Sequence, residues 1–184
     1  MVLTKTPICN FGEKANSFEL KGTDDKIHKL EDHLGKNGTL IMFICNHCPY
    51  VKAVIDDIAH DCKHLEKDGV KSLAVMSNDT NDYPEDSFDN MINFAKKHRF
   101  VFPYLIDQTQ KVAKNYGAVC TPDFFGYNNK LELQYRGRIR ELRDLKPVRN
   151  SESDLLKAMR LIIQTGKGPK EQIPSMGCNI KWIK

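Results

Sequence analysis

Thr39-Leu40-Ile41-Met42-Phe43-Ile44-Cys45-Asn46-His47-Cys48-Pro49-Tyr50 is the stretch that decides the fold. An apolar run from Thr39 to Ile44 stops abruptly at two cysteines spaced C-x-x-C, and an amphipathic pattern starts directly after them. This reads as a buried strand that delivers a dithiol to the first turn of a helix. Backbone N–H groups at a helix start are unpaired and carry partial positive charge, so a thiolate placed there is stabilised and its pKa falls. On this reading Cys45 is the ionised sulfur, able to attack a disulfide or a peroxide. Cys48, three residues on, then resolves the product.

The chain has 184 residues, 40% of them hydrophobic, with a net charge of +4. That length fits one domain, residues 1–184, with a sizeable core. The mild basic balance gives little sign of nucleic-acid binding, which calls for a clustered basic face. Residues 1–20 contain no continuous apolar stretch, and no run approaches the roughly 18 apolar residues of a membrane span. A cytoplasmic location is expected. Six cysteines (9, 45, 48, 62, 120 and 178) are scattered apart from the one pair. In a reducing cytosol such a pair serves catalysis or metal binding rather than stapling.

Outward from the central strand, Ser17–Leu20 and Ile27–Leu30 flank Gly22-Thr23-Asp24-Asp25 as a hairpin, behind an irregular lead-in over 1–16. Helix one is expected from Pro49 to about Asp68, with Val51, Val54, Ile55, Ile58, Ala59, Cys62 and Leu65 on one apolar face. Val70–Met76 reads as a second buried strand. Helix two is expected from Pro84 to about Arg99, followed by a strand over Phe102–Ile106. Asp107 and Gln110 suggest a capping box for a third helix that Gly117 closes. Phe124–Tyr127 and Leu131–Tyr135 form a second hairpin. Ser151 is expected to cap a last helix, which Gly166 stops, and 167–184 reads as a Pro/Gly-rich tail. The order implies an α/β domain whose central mixed sheet is flanked by helices.

A C-x-x-C at a strand-to-helix junction, Thr121-Pro122 well downstream and a closing hairpin plus helix resemble the thioredoxin fold. Phe18 to Leu30 resembles the N-terminal hairpin of the AhpC/TSA-related redoxins. Cys45-Asn46-His47-Cys48-Pro49-Tyr50-Val51, Cys120-Thr121-Pro122-Asp123-Phe124-Phe125, Tyr135 to Ile139 and Pro174 to Trp182 look like one subgroup of them. The resemblance implies an antioxidant-type thiol–disulfide oxidoreductase, with Cys45 attacking and Cys48 resolving. It also implies a cis Pro122, with Thr121 pairing to an extended substrate through its backbone. Its partners would be protein or low-molecular-weight thiols and disulfides and a reductant system, with no cofactor, metal, nucleic acid or membrane. Two departures stand out. Lys21 takes the place of the acidic residue that often accepts the resolving thiol's proton. Met42 takes the place of the threonine that orients peroxide in peroxiredoxins.

Rival readings are a thiol peroxidase using Cys45 and a Sco-like metal carrier using Cys45, Cys48 and a histidine. A zinc site usually brings a second cysteine or histidine pair at matching spacing, and none is evident. His47 is read as tuning the Cys45 thiolate when protonated, against a solvated loop histidine. Cys120 and Cys178 are possible extra thiols, Cys178 by folding the tail back. Cys62 reads as a packed core thiol. Seven Lys/Arg against three acids between Lys130 and Arg149 read as a solvated hairpin edge and linker.

Overall fold

The computed structural model describes residues 2–184. The strands in chain order are β1 (Leu3–Lys5), β2 (Glu19–Gly22), β3 (Ile27–Lys29), β4 (Gly38–Phe43), β5 (Val70–Met76) and β6 (Tyr104–Ile106). They continue with β7 (Cys120–Thr121), β8 (Asp123–Tyr127), β9 (Leu133–Tyr135), β10 (Leu142–Arg143), β11 (Lys146–Pro147) and β12 (Met176–Asn179). Four helices alternate with them: α1 (Pro49–Lys67), α2 (Phe88–Lys97), α3 (Lys111–Asn115) and α4 (Asp154–Thr165).

Seven strands form one sheet in the order β3-β2-β6-β5-β4-β8-β9. β4 runs parallel to β5 and antiparallel to β8, so the sheet is mixed. Every residue of β4 is buried, because both faces of the sheet are covered. Strand alternation divides the core accordingly. Leu40, Met42 and Ile44 pack with α1, α2 and α4, whereas Ile41 and Phe43 pack with α3 and the β2–β3 hairpin. Among the described residues no helix is long and apolar enough to cross a membrane.

The hairpin, the central strand, β5 and helix one lie where the sequence puts them. Other expectations need correction. Pro84–Asp86 is a separate 3-10 turn, and α2 starts after it with Ser87 as its cap. Gln110 adopts a left-handed conformation and caps nothing; its amide instead donates to the carbonyls of Ser77 and Lys181. The last helix is capped by Ser153 rather than Ser151, its hydroxyl accepting the Leu156 N–H at 3.0 Å.

Both chain ends are more ordered than their composition suggests. β1, inside the supposed lead-in, pairs with β12, inside the supposed tail, and β12 pairs in turn with β7. The basic stretch is likewise not a simple solvated edge. Arg136 binds the buried Asp123, and Arg140 and Arg149 both reach Asp57 on α1.

Candidate active site

β4 releases the chain one residue past its end. Ile44 still donates to the Val75 carbonyl at 3.0 Å, and Cys45 then leaves the sheet. The Asn46 and His47 N–H groups turn to the Asp86 carboxylate, at 2.8 and 3.3 Å. α1 opens at Pro49, a residue suited to a first turn because its missing N–H would have had no helical partner. Cys48 is therefore the residue at the helix start, and Cys45 lies three residues short of it.

This offset reverses the expected electrostatics. The Cys45 thiol donates to the Cys48 sulfur, holding Cys48 down to about 5 although its burial works the other way. The Cys178 thiol and the N–H groups of Val51 and Cys178 add positive potential at the same sulfur. The Thr121 carbonyl, 3.1 Å from Cys48 Sγ, accepts its proton when Cys48 is neutral, but the donors outnumber it. Cys45 moves the opposite way. Donating its S–H hydrogen bond to Cys48, together with burial and the Asp86 charge, holds it well above an ordinary thiol. The helix start and its donors thus favour a thiolate at Cys48, where the sequence reading places it at Cys45.

His47 is fixed by a carboxylate that the sequence does not advertise. Its Nδ1 lies 2.6 Å from Asp86 Oδ2, and its ring stacks on Tyr83 with centroids 5.5 Å apart. Asp86 is fully buried and also accepts from the Asn78 amide at 2.7 Å. The bond to Asp86 raises the His47 pKa, and the donors around Asp86 lower its own against the cost of burial. His47 and Asp86 thus favour each other's charged form beside the dithiol. Asp86 offsets the help His47 could give a Cys45 thiolate.

Ligand atoms of Cys45, His47 and Asp86 all lie within 4.8 Å of one another, a thiol, imidazole and carboxylate set of a kind that binds transition metals. As arranged, His47 Nδ1 and Asp86 Oδ2 are committed to each other. His60 and His64 are also engaged, through Asp61 and the His60 carbonyl.

The far side of the dithiol is the Thr121–Pro122 bond, which is cis. Thr121 holds both sulfurs, its hydroxyl 3.3 Å from Cys45 Sγ and its carbonyl against Cys48. Met42, in contrast, is buried in the core and brings no hydroxyl. A cavity of about 270 Å³ opens beside Pro122, with Tyr50 and Ile139 in its wall and Lys5, Arg138 and Arg140 around it.

The structure brings Cys45, His47, Cys48, Thr121 and Cys178 together. Cys120 is buried nearby, its sulfur 4.0 Å from the Pro122 carbonyl, and its pKa is raised chiefly by burial. Cys62 sits in the core against Met42, pushed up to about 12 by burial. Lys21 pairs with Asp25 and contacts Phe88. The buried carboxylate of the site is Asp86, contributed by a 3-10 turn that reads in sequence as an ordinary helix start.

The fold is thioredoxin-like. A secreted Mycobacterium tuberculosis disulfide oxidoreductase homologous to E. coli DsbE matches with a TM-score of 0.56 at 13% identity, over 68% of this chain and 87% of that one. The peroxidoxin BcpB of the same organism matches at 0.55 and 17%, over 69% and 83%. The model of the AhpC/TSA family matches residues 11–142, more than half of the chain, and the chain belongs to that family. An uncharacterized conserved protein from Geobacillus kaustophilus is 37% identical, with a TM-score of 0.90 over 100% of this chain and 97% of its own. A hypothetical protein from Sinorhizobium meliloti is 32% identical, also at 0.90, over 98% of each chain. No curated protein matches this chain.

Proposed function

We propose that this protein is a thiol–disulfide oxidoreductase that cycles a Cys45–Cys48 dithiol and disulfide with protein or low-molecular-weight partners. The observation that carries this reading is the pair of sulfurs, hydrogen-bonded to each other, with Cys48 at the start of α1 and both held by Thr121. The Cys48 thiolate attacks a partner disulfide, and one half of the partner leaves as a thiolate. Cys45 then gives its proton to that thiolate and attacks Cys48 Sγ. The second half leaves, and a Cys45–Cys48 disulfide remains for a reductant system to reopen. The cavity beside Pro122 gives an apolar partner side chain a seat next to the reacting sulfurs. A reducing cytoplasm, where such a reductant operates, suits this cycle.

Insulin reduction in dithiothreitol tests the assignment. Cys48→Ser is expected to fall to the rate of dithiothreitol alone, whereas Cys45→Ser/Cys178→Ser keeps the attacking thiol without either neighbouring one and stops at a mixed disulfide visible on a non-reducing gel. Wild-type turnover by Cys48→Ser would overturn the proposal.

A further inference from the structure

The backbone edge nearest the dithiol is already filled by the chain itself. β12 lies antiparallel to β7, with Cys178 opposite Thr121 and Asn179 opposite Cys120. Thr121 is the residue that touches both sulfurs, so this register delivers Cys178 to the reacting pair. Its thiol and its N–H both reach Cys48 Sγ. Ser175 secures the approach by donating to the Pro122 carbonyl at 2.7 Å, and β1 grips the opposite edge of β12, with Leu3 facing Cys178. The fit is close. A Cβ on Gly177 would lie 1.9 Å from the Thr121 oxygen, so no other residue type can stand there while the strand is seated. An extended segment that pairs along Thr121 and presents a cysteine to a C-x-x-C dithiol has the form of a docked substrate.

We propose that Cys178 is a third redox thiol of this centre and that β12 is a built-in substrate strand, exchanging with disulfides formed at Cys48. The proposal rests on the dithiol reading above. In the exchange, Cys178 loses its proton and its sulfur attacks Cys48 Sγ. The Cys48–Cys178 bond forms as the Cys45–Cys48 bond breaks, and Cys45 leaves as a thiolate that takes up the proton. One disulfide and one thiol stand on each side, so no outside oxidant is consumed. The same attack on a Cys48 mixed disulfide expels the partner's thiol. While β12 stays seated, a partner chain cannot pair along Thr121.

Oxidised glutathione is a sufficient probe. Full-length Cys45→Ser is treated with it, quenched in acid, alkylated and digested with trypsin without reduction. Cleavage after Lys36, Lys52, Lys170 and Lys181 puts Cys48 on residues 37–52 and Cys178 on residues 171–181. The expected result is a glutathione adduct on Cys48 that gives way to a disulfide joining those two peptides. In Cys45→Ser/Cys178→Ser the adduct should last at least about tenfold longer. An equally lasting adduct in both variants, with no linked peptide, would overturn the inference. Wild type in the same buffer separates the two claims without any substitution. A Cys45–Cys48 disulfide with no linked peptide in either protein sinks the Cys178 proposal alone; failure of wild type to form that disulfide at any ratio of oxidised to reduced glutathione sinks the dithiol reading.

Discussion

The acidity of this site comes from a displacement of three residues. Asp86 causes part of it, because its carboxylate draws the Asn46 and His47 N–H groups away from the helix direction and defers the first turn to Pro49. Asp86→Ala would leave these two donors, His47 Nδ1 and the Asn78 amide without their acceptor in a buried place. Breaking a buried pair of this kind costs about 3–5 kcal/mol, to be read from the urea midpoint. The His47 pKa should fall at the same time, measurable by NMR titration, since its bond to Asp86 is what raises it. Nothing in the sequence joined Asp86 to His47. The contact spans 39 positions, and an acid after Pro84 has an adequate local explanation as part of a first turn.

Among the elements, the long ones were legible and the short ones were not. β4, β5 and α1 each carry their own apolar periodicity, so local pattern and tertiary burial agree. β12 is four residues, Met176-Gly177-Cys178-Asn179, and nothing in its pattern announces a strand. Its order comes from neighbours far away in the chain, β1 on one edge and β7 on the other. The cap at Ser153 shows a related failure: two serines two residues apart compete, and the buried Asp61 that bonds to Ser153 decides between them. Gly177→Ala addresses β12 directly. The added methyl meets the Thr121 backbone, which cannot yield as a flexible side chain would. Overpacking of this kind costs about 1–3 kcal/mol, so opening of the strand should rise on the order of tenfold. Iodoacetamide modification of Cys45 and Cys48, both nearly fully buried in the wild type, should accelerate in proportion.

For the whole molecule, the dithiol makes stability depend on pH in a definite direction. Cys48 has a folded value of about 5 against an ordinary 9.0. The stability it contributes is fully present above pH 9 and is lost as pH falls through about 5. Wild type should therefore gain stability over Cys48→Ser as pH rises from 5 to 8, read from guanidinium unfolding. Comparing the two proteins largely cancels His47, whose raised pKa stabilises the fold at low pH and ceases to do so as pH rises. A flat difference across that range would mean that Cys48 is not ionised in the fold. The basic residues between Lys130 and Arg149 illustrate the remaining gap between sequence and structure. Their number was plain, but their use as internal cross-ties to Asp57, Asp123 and Asp154 depends on partners brought close only by the finished fold.

The pairing of β1 with β12 has a practical corollary. The ribbon that roofs the sulfurs is tethered on its outer side by residues 3–5, so the hold on that roof is shared with the far end of the chain. The rate at which thiol reagents reach the buried pair thus reports how firmly the first strand is held, and should rise when residues 2–5 are deleted.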